Sequence, residues 1–77
     1  MLDAIDLRKK LGAEIRSLRL ERGLSQEHLA HETGFGRSAM SAIERGTKDI
    51  RLSSIVKVAN IFSVSPSRLL EKAEKMR

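Results

Sequence analysis

Apolar residues recur at helical spacing from one end of this chain to the other. Leu7, Leu11, Ile15 and Leu18 step by four, four and three, which lines one face of a first helix closed by Gly23 and capped by Asp3 or Asp6. Ser25 is placed to cap a short second helix whose inner face is Leu29, Ala30 and Thr33 and which ends at Gly34. Phe35 stands alone in the connection that follows. Met40 and Ile43 supply the spacing of a third helix, stopped by Gly46. Leu52, Ile55, Val58 or Val56, Ala59 and Phe62 make a fourth. Ser65 as cap, with Pro66 at the first helical position, announces a fifth that carries Leu69, Leu70 and Ala73. Nowhere does a period of two persist beyond four residues, so no sheet is expected. The densely charged segment 71–77 is expected to fray.

The pattern predicts an all-α fold, five short helices in one compact domain over 1–77 with its core at about 7–70, and no linker or internal repeat. A chain of 77 residues buries roughly 60 to 65% of its unfolded surface, room for one modest core but not for a deep substrate cleft as well. No enzyme is expected, and no catalytic residue stands out. The absence of Cys removes a disulfide framework, a thiolate metal site and a thiol nucleophile, which fits a cytoplasmic setting. No apolar run approaches the ~20 residues of a membrane span, and the first six residues are acidic, so neither a span nor an export leader is expected.

Charge changes the picture more than composition does. Fifteen Lys and Arg face ten Asp and Glu, a net +5. Residues 1–33 hold six basic and six acidic side chains, 34–57 five and two, and 58–77 four and two. The excess begins in the middle of the chain, where few acids mask it, and an anion-binding surface belongs there.

That same stretch holds the most specific pattern. Two short helices at Ser25–Gly34 and after Gly36, joined by a glycine-led turn with a small Ala30 at the crossing, meet the requirements of a helix-turn-helix. Gly34 can take a positive φ, and Phe35 can fold back between the helices. The run Leu11-Gly12, Ile15-Arg16, Leu18-Arg19, Gly23-Leu24-Ser25-Gln26-Glu27, Leu29-Ala30, Gly34, Ser41 and Ile43-Glu44-Arg45-Gly46 resembles the phage repressor/Cro type of DNA-binding domain, the lambda-repressor-like fold. The match continues through Leu52, Ile55, Lys57, Ala59, Val64-Ser65 and Leu69-Leu70, so it spans about 7–70.

The resemblance implies roles. The third helix would enter the major groove and present Arg37, Ser38, Ser41 and Ala42 to base edges, Arg37 as a bidentate donor to guanine. Gln26 matches a family glutamine that bonds a backbone phosphate at the start of the second helix. Arg45, Lys48 and Arg51 would grip flanking phosphates. Arg19 and Glu44 occupy the positions of a partly buried ion pair that ties the first helix to the end of the reading helix. Departures are visible too. Gly36 stands where Ser or Thr commonly caps the reading helix, Ile50 where Pro is common, and Ser63 where Gly is common. Lys48-Asp49-Ile50-Arg51-Leu52 and the short chain are similar to the controller proteins of restriction-modification systems.

Other constellations read more plainly. His28 and His31 are surface polar residues, and no metal or other cofactor is expected. Gly34-Phe35-Gly36-Arg37-Ser38-Ala39 mimics a dinucleotide loop but follows no strand. Arg8-Lys9-Lys10 reads as a solvated face. Phe35 and Phe62 are expected in the core, leaving no aromatic platform for single-stranded RNA and no aromatic-rich face for a membrane.

The expected function is a sequence-specific regulator that binds double-stranded DNA as a homodimer on a near-palindromic operator, as an autoregulatory controller would, with no small-molecule ligand. Ile50, Val56 and Ile61 are candidates for the dimer surface. The competing reading is an antitoxin-type interaction module that also binds DNA, against which stands the short stretch beyond the fifth helix.

Overall fold

The structure, a computed structural model, describes residues 2–76. Its helices are α1 (Ala4–Glu21), α2 (Gln26–Thr33), α3 (Arg37–Arg45), α4 (Leu52–Ile61) and α5 (Pro66–Glu74), with no strand among the described residues. None of them is long and apolar enough to cross a membrane.

Local chemistry sets most of the helix ends. Asp3 caps α1 by accepting from the Asp6 amide at 2.8 Å, Ser25 caps α2 through His28 at 2.9 Å, and Ser65 caps α5 through Arg68 at 3.1 Å. Each bond satisfies an N–H that the helix itself leaves without a partner. Gly36 and Arg51 precede α3 and α4 without a side-chain cap. Ser63 closes the turn after α4 at φ 56°, a left-handed position that a side chain disfavours.

One apolar cluster lies where the five helices meet. Leu11, Ile15 and Leu18 of α1 join Leu29 and Ala30, Met40 and Ile43, Ile55, Val58 and Ala59, Phe62, Leu69 and Ala73. Between the two candidate valines of α4, Val58 is fully buried and Val56 is exposed. The helix α1 is the spine, packing chiefly against α3 and α5.

Four expectations need correction. Leu52 is not on the inner face but 73% exposed. As the first residue of α4 its side chain leans back past the helix start, where nothing covers it. The 71–77 segment does not fray from its first residue: α5 runs to Glu74, Ala73 is fully buried, and Lys72 Nζ lies 3.5 Å from the buried Glu14 carboxylate of α1. Arg77 lies outside the described residues. Arg8 is not part of a solvated face, because its Nε donates to the Gly46 carbonyl at 2.7 Å and its Nη1 reaches Asp49 at 3.4 Å. Ile61, expected on an exposed dimer surface, packs half-buried against the core.

The tightest constraint is where α1 crosses α3. A Cβ on Gly12 would overlap the carbonyl oxygen of Ile43 and stand 2.8 Å from that of Glu44. Only a glycine lets the two backbones approach this closely. Arg19, two turns further along α1, reaches the same end of α3 and closes a buried ion pair with Glu44.

Two substitutions therefore act in opposite directions. Gly12→Ala is expected to lower stability by about 2 kcal/mol, overpacking outweighing the better helix propensity of Ala. Ser63→Gly should raise stability by about 1 kcal/mol by relieving the left-handed strain. For a domain of this size, 1 kcal/mol moves Tm by roughly 4 to 8 °C, so thermal melts followed by circular dichroism resolve both. A Gly12→Ala variant melting at or above the unmodified protein would contradict the close approach.

Candidate nucleic-acid interface

The α2–α3 unit is built by its turn. Gly34 adopts φ 78° after α2, and the Phe35 amide then donates back to the Ala30 carbonyl at 3.0 Å. This closure reverses the chain within three residues, and α3 starts at Arg37. Phe35 packs half-buried against the core, and Met40 and Ile43 are buried. With those residues turned inward, the remaining face of α3 is fixed by the helical repeat. Arg37, Ser38 and Arg45 are exposed, and Ser41 and Ala42 are half-buried.

Gln26, Arg37, Ser38, Ser41 and Arg45 line one shallow concavity between the start of α2 and α3. Lys48 and Arg51 open instead onto a second concavity on the opposite flank of α3, beside Gly36, Ala39 and Ser54. The cations thus straddle the helix. Ala42 borders neither concavity, and its carbonyl accepts from the Thr47 amide at 3.0 Å and hydroxyl at 3.2 Å, which shapes the loop leaving α3.

The electrostatics of this surface depend on where its two acids go. Glu44, with its side chain 2% exposed, takes Arg19 Nε at 2.7 Å and Nη2 at 3.0 Å, a bidentate pair. Arg19 Nη1 also donates to the Leu24 carbonyl at 2.8 Å, just before the Ser25 cap. Asp49 is taken by Arg8. Neither acid reaches Arg37, Arg45, Lys48 or Arg51, which have no carboxylate partner within 4.0 Å among the described residues. Arg45 makes only a long contact, 3.3 Å, to the Ser41 carbonyl one turn back. Four cations around α3 are left to solvent.

Gln26 does more than its position alone predicts: its Nε2 donates to Glu44 Oε1 at 3.1 Å. Sequence reading also missed Arg8 as the partner of Asp49, an exposed acid that borders the same concavity as Lys48 and Arg51. Its only signal was local, an Arg one turn after Ala4 on a helix, and the partners lie 38 and 41 residues away. Of the candidate dimer residues, Ile50 lines an apolar groove with Leu7, Leu11, Ile55 and Leu70, whereas neither Val56 nor Ile61 borders it.

Comparison with known proteins agrees with this geometry. A family model described as helix-turn-helix matches residues 15–69. Control protein C.BamHI of Bacillus amyloliquefaciens is 37% identical over 67 residues, 86% of this chain and 83% of that relative. The solved structure of the restriction-modification controller protein C.AhdI from Aeromonas hydrophila is 41% identical, with TM-score 0.76 over 83% of this chain and 96% of that one. The controller protein C.Esp1396I, solved as a tetramer in complex with its natural 35 base-pair operator, is 30% identical with TM-score 0.77, covering 90% and 91% of the two chains. A glycine-led turn between two short helices, the close crossing at Gly12 and the match over most of the chain lead to one conclusion: the chain belongs to the helix-turn-helix family, alongside the controller proteins of restriction-modification systems.

Proposed function

We propose that this chain is a sequence-specific transcriptional regulator that acts in the cytoplasm, binds double-stranded DNA as a homodimer on a near-palindromic operator, and serves as the autoregulatory controller of a restriction-modification operon. The observation that carries this reading is the set of unpaired cations on both flanks of α3. A duplex presents one phosphate backbone on each side of its major groove, and a helix lying in that groove needs cations on both of its own sides.

In this reading Arg37 and Ser38, in the first turn of α3, meet base edges, and Ser41 follows one turn later. Arg37 discriminates most, because its fork matches the O6 and N7 acceptors of guanine, at ~1 to 3 kcal/mol against a wrong base. Ala42 leaves room for a thymine methyl. Gln26 and Arg45 hold phosphates on one flank, and Lys48 and Arg51 on the other. These contacts position the domain without reading sequence.

A single protomer reads few base pairs. Its extents of 34 × 23 × 21 Å are comparable with one helical turn of duplex, about 34 Å, so a two-fold pair can place one α3 in each of two successive major grooves. Ile50, Val56 and Ile61 are proposed for the surface between protomers, with the exposed Leu52 one turn from Val56 on α4.

Binding to the DNA upstream of its own gene, measured across a salt series, tests the reading. Three phosphate-gripping cations per protomer in a dimer give a slope of log affinity on log salt near roughly −5. Arg37→Ala should flatten sequence preference. Lys48→Ala should weaken all sequences alike and make the slope shallower by about two for the dimer. Full sequence preference retained by Arg37→Ala would remove α3 as the reader. Sedimentation on an operator fragment is expected to show two protomers per site, and a single protomer at saturation would refute the homodimer.

A further inference from the structure

We propose that Glu44 is a positioning residue for the phosphate contact: it dictates which way the Gln26 amide faces and holds it ready before DNA arrives. The inference rests on the DNA-binding reading above. Its starting point is the crowding of the Glu44 carboxylate. Oε2 accepts from Arg19 Nε at 2.7 Å, while Oε1 accepts both Arg19 Nη2 at 3.0 Å and Gln26 Nε2 at 3.1 Å. A carboxylate can only accept, so the Gln26 amide must turn its nitrogen, not its oxygen, toward Glu44.

An amide at the rim of an anion site is otherwise free to flip, and half of its orientations would present oxygen to a phosphate. Here one N–H is committed to Glu44 and the second remains available beside the concavity that Gln26 shares with Arg37 and Arg45. The arrangement has a further requirement. A bare carboxylate this close would repel phosphate, and Arg19, itself tied to the Leu24 carbonyl at 2.8 Å, cancels its charge. The three side chains form a relay from the loop before α2, through the end of α3, to the start of α2. The rotamer freedom that Gln26 would lose on binding is already spent in the free protein, which is how preorganisation raises affinity.

A double-mutant cycle on operator affinity tests the proposal. Gln26→Ala should weaken binding about tenfold in the unmodified background, the loss of one hydrogen bond to a charged group. In the Glu44→Gln background the side chain still offers Arg19 an oxygen, but it can now donate or accept and no longer dictates the orientation of Gln26. There the same Gln26→Ala change should cost less than about threefold. Equal losses in both backgrounds would overturn the proposal. A measurement on the unmodified protein covers the case in which Glu44→Gln does not fold. Side-chain nitrogen relaxation without DNA should show the Gln26 Nε2 group as ordered as the helical backbone. A freely reorienting amide would overturn the proposal. Failure of the underlying reading looks different, because the unmodified protein would then bind no DNA at any salt.

Discussion

The arrangement of this molecule depends on one buried contact, the bidentate pair between Arg19 and Glu44. It joins the last turn of the longest helix to the last turn of α3, and with the Gly12 crossing it fixes α3 at two points along α1. Desolvating two charges can cancel the gain from their attraction, so the pair is better understood as a specifier of orientation than as a source of net stability. Removing one partner is a different matter: it strands a buried charge at a cost of about 3 to 5 kcal/mol. In the proposed reading α3 presents side chains to a rigid groove, and such a helix needs its axis held more than it needs extra stability.

The second consequence concerns charge. Two acids lie near the C-terminal end of α3, and both are committed to arginines of α1, Glu44 to Arg19 and Asp49 to Arg8. Had Asp49 paired with Lys48 or Arg51, one of the two cations on that flank of α3 would be neutralised. The long helix α1 thus has two tasks. It builds the core through Leu11, Ile15 and Leu18, and it supplies the arginine partners of both carboxylates, burying Glu44 and pairing the exposed Asp49. This gives physical content to the modest net charge, because the cations that matter are those without a partner.

The backbone at the two ends of α3 is unlike. Its C-terminus closes on Gly46 with the Thr47 hydroxyl and amide on the Ala42 carbonyl, whereas its N-terminus begins after Gly36 without a side-chain cap. The capped helices α1, α2 and α5 each satisfy an orphan N–H internally. In α3 those groups remain directed outward, at the end where Arg37 and Ser38 project. A left-handed Ser63 between α4 and α5 is the other place where local preference yields to the fold.

Much of this was legible in the residues themselves. Five helices follow from apolar spacing, and three of their starts from Asp3, Ser25 and Ser65, because capping and periodicity are local physics. The inward set of Leu29, Ala30, Thr33, Met40 and Ile43 leaves only one face of α3 for Arg37, Ser38 and Ser41. Periodicity failed at an element's edge, where Leu52 keeps the right spacing yet starts its helix, whereas it placed Ala73 inside correctly although the charge density of 71–77 suggested fraying. Beyond the Arg19–Glu44 pair, which the family resemblance implies, only tertiary structure decided which polar group meets which. Arg8 and Asp49 are unremarkable in sequence, and nothing local joins Gln26 to Glu44; these contacts link residues 18 to 41 positions apart. Electrostatic partners depend on distances that only packing sets, whereas helix formation depends on neighbours along the chain.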